Sequence, residues 1–304
     1  MTATSPAPVR ADAGTRPPLG RRVSSALARS PRARLAGLLT LPAAWLAVVY
    51  LAALLALLAT AFLSVDEFTN AVTRTLTLAN VRDVVTDPAY LRATLRTVGV
   101  AAAVTLLCAV IAMPMAFFMA KVAPARARGV LVALVVTPLW ASYLVKVYAW
   151  QALVQPGSGV LDWALGPVGG RGPGYGLGAV VLTLTYLWLP YMVLPVYAGL
   201  ERLPDSLVDA SADLGAGPGR TFRSVVLPLV YPSVVAGSVF TFSLSLGDYI
   251  TVQIVGGKAQ LLGNIVFQNY AANLPFAAAI AIIPVVVTVL YLALVRRTGA
   301  LDRL

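Results

Sequence analysis

The stretch DASADLGAGPGRTFRSVVLPL, Asp209 to Leu229, crowds two carboxylates, three glycines and two arginines between two long apolar runs. No charged residue falls between Arg171 and Glu201 before it, or between Arg223 and Asp248 after it. A membrane-spanning helix needs roughly 20 apolar residues, so each flanking run is long enough to cross a bilayer and the polar stretch is a hairpin joining two spans. Working outward, the same charge-free pattern recurs between Arg34 and Asp66, between Arg96 and Lys121, and between Lys258 and Arg296. A further apolar run over 129–153 is interrupted only by Lys146. Composition agrees: 12% of residues are charged, where a soluble domain carries about 25%.

The expected fold is therefore all-α and polytopic, with six transmembrane helices near 37–63, 97–120, 129–153, 177–199, 225–247 and 275–295. Each span contains proline: Pro42, Pro114, Pro138, Pro190 with Pro195, Pro228 with Pro232, and Pro284. Membrane helices tolerate proline where neighbouring helices and water re-satisfy the freed backbone groups. Kinked helices around a path and kinked close packing account for these prolines equally well.

Loop charge sets the orientation. Seven arginines precede the first span, and three basic residues each follow the second, fourth and sixth; the opposite loops hold six in all. The excess of Lys and Arg on cytoplasmic loops places both termini and the 209–229 hairpin in the cytoplasm. The net charge of +11 thus reports topology and does not call for a nucleic-acid partner. Residues 1–34 read as a disordered basic cytoplasmic tail and 35–304 as the transmembrane domain, with the hairpin at 201–224. "ATA" at 59–61 has the look of a signal-peptidase site. The apolar run before it exceeds an h-region of about 7–15 residues, so the first span is read as a retained anchor.

The chain has one cysteine, Cys108, and no histidine. An internal disulfide is excluded, the usual zinc, haem and copper ligand sets cannot be assembled, and the commonest general base is missing. No metal site or nucleophile–base pair is expected, which argues against an embedded enzyme. An ion-coupled secondary transporter is the other reading of such spans, but it favours acidic residues near the midplane and often an inverted repeat, and neither is seen.

Within the hairpin, Pro204 can open a helix, and residues 205–214 run without a breaker to Gly215, a left-handed C-cap. At helical spacing Leu207, Ala210, Ser211 and Leu214 share one face, and Asp205, Asp209 and Asp213 step along nearly the opposite one. Such a helix can lie on the membrane, cap the bundle, or plug into a partner's groove. An acidic ridge is repelled by anionic lipid; packing and docking both remain.

Asp209-Ala210-Ser211, three residues, Gly215, nine residues, then Val225-x-Leu227-Pro228 resembles the EAA loop, E-A-A-x3-G-x9-I-x-L-P, of permease subunits in binding-protein-dependent ABC importers. Asp for Glu, Ser for Ala and Val for Ile are the departures; the spacing is kept. The resemblance implies a type I ABC importer permease (MetI-like) architecture and a transport subunit rather than an enzyme. It also implies a loop that seats in an ATPase cleft through Asp209, Ala210, Ser211, Asp213, Leu214, Gly215, Phe222, Leu227 and Pro228. The chain lacks G-x4-G-K-[ST], and "GGK" at 256–258 has neither the upstream glycine nor the Ser/Thr. It cannot cradle ATP phosphates by that means.

"TPLWASYLVKVYAWQALV" (137–154) and "LSLGDYITVQIVGGKAQLLGNIVFQNY" (244–270) are similar to the PotB-type permeases of spermidine/putrescine importers. That resemblance implies no cofactor on this chain, with ATP and Mg on a pair of partner ABC ATPase subunits. It further implies a second, PotC-like permease, an extracytoplasmic solute-binding protein, and multi-pass residence in a bacterial inner membrane. A polycation path wants carboxylates and aromatic faces. Asp248 and Tyr249 at the outer end of span five, and Trp140, Tyr143 and Trp188 inside spans three and four, are the candidates. An interfacial aromatic belt and a solvated headgroup-zone carboxylate are the alternative readings. Lys146 either snorkels or pairs with Asp248.

Overall fold

The computed structural model describes residues 31–66, 71–168, 170–297 and 299. The tail expected over 1–34 falls, up to residue 30, outside the described residues, as do Glu67 and Arg303. The first span is α1 (Pro31–Trp45), a π turn (Leu46–Tyr50) and α2 (Leu51–Thr60); its stretch Gly37–Thr60 is long and apolar enough to cross a membrane.

The segment read as a loop after this span contains structure. β1 (Leu63–Val65) and β2 (Val72–Leu76) pair antiparallel, with Ser64 opposite Thr73 and Val65 opposite Val72. Asn80, in α3 (Ala79–Thr86), donates its side-chain amide to the carbonyls of Ala61 at 3.1 Å and Leu63 at 2.8 Å, fixing the hairpin to the helix. α4 (Pro88–Phe117) begins where Asp87 accepts the Ala89 N–H at 2.7 Å, an N-cap bond, and Pro88 takes the first-turn position where a missing N–H is harmless. Through a second π turn (Phe118–Val122) this span runs from Pro88 to Val122, 35 residues. That is about 52 Å of helix against a hydrocarbon core of about 30 Å. The span therefore starts well before residue 97 and projects beyond the bilayer.

The third span departs from expectation. Instead of one helix over 129–153 there are two, α5 (Ala125–Trp140) and α6 (Tyr143–Val154), bent by 93°. Ala141 (ψ 141°) and Ser142 (ψ 136°) are both extended, and this two-residue interruption breaks the ladder. Among the described residues, five helices are long and apolar enough to cross, or six if the bent pair counts as one.

The chain continues through α7 (Val160–Leu165), α8 (Leu177–Glu201), α9 (Asp205–Asp213), α10 (Pro218–Thr221), a π turn (Phe222–Val226) and α11 (Leu227–Leu246). It ends with α12 (Ile250–Val255), α13 (Leu262–Tyr270) and α14 (Leu274–Arg297). From residue 58 onward the core is built on α4, α8 and α11, which pack pairwise. The buried positions of α4 fall four apart, at Val104, Cys108, Ala112, Ala116 and on to Ala120 in the π turn. Such a ridge of small side chains lets neighbouring helices approach closely. Lipid is as apolar as leucine, so this close packing replaces the hydrophobic drive of a soluble core. The α8–α11 crossing is tighter still: a Cβ on Gly237 would lie 2.6 Å from Met192 Sδ and 3.1 Å from Met192 Cα.

Candidate functional site

At one end of the core, the hairpin is assembled from local signals. Pro204 (ψ 131°) precedes α9 in extended conformation. Gly215 (φ +78°) ends it in the left-handed region, with Ala216 N–H bonding Ser211 O at 3.1 Å and Gly215 N–H bonding Ala212 O at 2.8 Å. This is the Schellman pair of bonds, and it satisfies two carbonyls the helix end would otherwise leave open. The expected apolar stripe does not pack as a unit. Val208 and Ser211 turn inward, while Leu207 and Ala210 are exposed and Leu214 is 88% exposed. Asp209, Ala210, Asp213 and Leu214 thus share the outward surface, acidic and apolar side by side.

Behind that surface the hairpin is held from three directions. Ser211 Oγ lies 3.0 Å from Thr221 Oγ1, closing α9 on α10. Phe222 meets Phe117 of α4 edge-on at 6.4 Å, and a groove of about 250 Å³ separates α9 from the π turn there, lined by Val208, Ala212, Thr221 and Phe222 among others. Lys121 donates to Leu203 O at 2.6 Å and to Asp205 Oδ1 at 2.7 Å. That hydrogen bond and the ammonium charge hold the Asp205 carboxyl below the usual carboxylate range. Leu227 and Pro228 are exposed in the first turn of α11.

At the other end of α11, the α5–α6 bend brings Tyr143 to Asp248. The Tyr143 hydroxyl donates to Asp248 Oδ2 and lies 2.7 Å from Thr251 Oγ1. Thr251 N–H donates to Asp248 Oδ1 at 2.9 Å. Tyr143 stacks on Trp188 (6.0 Å, 20°), Trp188 meets Tyr191 at 5.9 Å, and Tyr191 reaches Phe240 at 6.5 Å. The buried Trp188 Nε1 has no hydrogen-bond partner among the described residues; such a donor costs about 1–3 kcal/mol until something meets it.

Three candidates are thus joined and two are not. Tyr249 stacks instead on Phe267 at 4.9 Å. Trp140, on the far side of the break, is 87% exposed and outside the aromatic row. Lys146 makes no ion pair with Asp248; the partners of that carboxylate are Tyr143 and, through its backbone N–H, Thr251. Thr251 and Phe240 were missed by sequence reasoning, and Tyr191, one helical turn beyond Trp188, is an aromatic of span four that was passed over in favour of Trp188.

Residues 38–299 match the family described as binding-protein-dependent transport system inner membrane component. The chain belongs to this family. It is the permease subunit of an ABC importer, which sets aside the ion-coupled carrier. The permease is 44% identical over 308 residues to the inner membrane ABC transporter permease protein YdcU of Escherichia coli, covering 95% of this chain and 97% of that one. It is 31% identical over 245 residues to the spermidine/putrescine transport system permease protein PotB of Haemophilus influenzae, covering 78% and 84%. Among solved structures it resembles a chain of a bacterial ABC transporter involved in the import of the acidic polysaccharide alginate, with TM-score 0.67 at 14% identity over 91% of this permease and 99% of that chain. A chain of the MetNI methionine ABC transporter matches with TM-score 0.53 at 20% identity over 70% and 95%. At these identities the two structures show a shared fold, the MetI-like permease architecture.

Proposed function

We propose that this permease passes a polyamine-class cation such as spermidine or putrescine. In this reading it works beside a second, PotC-like permease over two ATPase subunits that carry the ATP and Mg, and it receives solute from an extracytoplasmic binding protein. In the same reading both termini and the hairpin lie in the cytoplasm, which the excess of Lys and Arg on that set of loops supports. The observation that carries the cargo is the Asp248 carboxylate at the head of an aromatic row. Tyr143 and Thr251 fix its orientation, and each carboxylate oxygen keeps acceptor capacity for a further donor. No basic side chain neutralises it from within the described residues. An ammonium group met there can pass to the faces of Trp188, Tyr191 and Phe240, where cation–π attraction contributes about 0.5–2 kcal/mol per contact. The PotB relatives carry the same cargo in their names.

For coupling, the outward surface of Asp209, Ala210, Asp213 and Leu214 is the part offered to the ATPase cleft. Ser211, Gly215 and Phe222 set its shape from behind, and Leu227 and Pro228 carry its displacement into α11.

The test is uptake of labelled spermidine by the assembled importer carrying Asp248→Asn. Uptake is expected to fall with a raised KM, and unchanged uptake and affinity would remove Asp248 from the path. Thermal shift of the cognate binding protein tests the cargo separately: stabilisation by polyamines is expected, and stabilisation by amino acids or sugars alone would overturn it.

A further inference from the structure

Tyr249, the path candidate that does not join the aromatic row, has a recess of its own. With Gly247, Gly263, Phe267, Tyr270 and Pro284 it lines a space of about 330 Å³ where the end of α11 meets α13 and α14. Tyr249 and Phe267 stack at 4.9 Å and 17°, yet Phe267 stays 49% and Tyr270 64% exposed, so aromatic surface is left open. The recess adjoins the Asp248 site through the main chain. A Cβ on Gly263 would lie 2.9 Å from Asp248 O and 3.2 Å from Tyr249 Cβ, so α13 sits directly on the 248–249 backbone. The Asp248 side chain itself is held by Tyr143 and the Thr251 N–H.

Charge decides what the recess takes. Gly247 is the C-cap of α11, a helix of 20 residues, and the C-terminal end of a helix carries partial negative charge that favours cations. The opposite pole nearby, the start of α13, is partly satisfied: Thr97 Oγ1 accepts the Leu262 N–H at 2.9 Å and Asn264 Oδ1 the Leu261 N–H at 2.7 Å. Three aromatic rings add the negative faces of their π systems. None of the lining residues is basic. An ammonium group is attracted by the helix end and the rings alike, whereas an acyl chain gains contact alone.

We infer that this recess is a second ammonium subsite, taking one end of a linear polyamine while another ammonium group lies on the Asp248 carboxylate. The inference rests on the polyamine reading proposed above and adds Tyr249, Phe267 and Tyr270 to the residues that meet the solute.

The experiment measures binding of labelled spermidine to the assembled importer in nanodiscs of zwitterionic lipid by equilibrium dialysis, with the binding protein omitted. Phe267→Leu keeps an apolar side chain and removes the π face; affinity is expected to fall by about three- to tenfold. Phe267→Trp offers the strongest cation–π face and should bind as tightly as the wild type or more so, and Tyr249→Phe should stay within about twofold of it. If Phe267→Leu does not assemble, Tyr270→Leu, at the more exposed ring, carries the test with a loss of about two- to fivefold. Wild-type affinity in the leucine variant, alongside weakened binding in Asp248→Asn, overturns the recess and leaves the Asp248 path standing. A loss in Phe267→Trp as large as that in Phe267→Leu assigns the ring to packing and overturns the recess too. If spermidine fails to bind even the wild-type importer, the polyamine reading falls and the second subsite with it.

Discussion

Replacing Gly215 by alanine isolates the hairpin's geometry from its chemistry. The φ of +78° at this residue is a left-handed conformation, and a Cβ built there meets no atom within 4 Å. The whole cost is therefore backbone strain, about 1–2 kcal/mol for a residue with a Cβ, which shifts a local equilibrium by a factor of roughly 5–30. That strain falls on the two bonds that close α9, Gly215 N–H to Ala212 O and Ala216 N–H to Ser211 O. Hydrogen exchange at the amides of residues 215 and 216 should accelerate by the same factor, and solute moved per ATP hydrolysed should fall while membrane insertion is unchanged. Gly215→Asn should be milder, since asparagine tolerates the left-handed region. Gly217→Ala is the control: its φ of −68° is ordinary and its Cβ also meets nothing, so transport should be normal. Wild-type exchange and transport in Gly215→Ala would refute the claim that coupling needs the closed hairpin.

Gly237→Ala forces its methyl against the Met192 backbone and should cost about 1–3 kcal/mol by overpacking, read as a lower melting temperature of the purified complex. Tyr143→Phe keeps the ring stacked on Trp188 but removes the hydroxyl from Asp248; the KM for spermidine uptake should rise by about tenfold, and an unchanged KM would separate Tyr143 from the path. Lys121→Met keeps the side-chain stem but loses the donors to Leu203 O and Asp205. Because Asp205 is 81% exposed, the ion pair itself contributes little, so transport per ATP should drop with a near-normal melting temperature.

Five of the six expected spans and the ends of the hairpin helix were legible because both are local properties. A charge-free run of about 20 residues announces a helix in lipid, and Pro204 and Gly215 punctuate α9 by their own backbone preferences. The break at Ala141–Ser142 was not legible, because neither residue is a glycine or proline. It is the site at the far end of α11 that exploits it, linking Tyr143 to a carboxylate 105 positions later. The inward turn of Val208 and Ser211 also escaped the pattern, because Leu207 and Leu214 promised a better apolar face than the one the helix packs.

By itself the sequence determined the solvent of this protein, the places of its long apolar helices and the ends of α9. Only the tertiary structure decided which face of each span meets another helix and which side chains converge on Asp248. In a bilayer the lipid and the protein interior are equally apolar, so an apolar helix carries no contrast between its faces for a pattern to report. Its partners are chosen by shape, by small residues such as Ala112 and Gly237 and by bent segments such as α5–α6, and shape exists only once the helices have met.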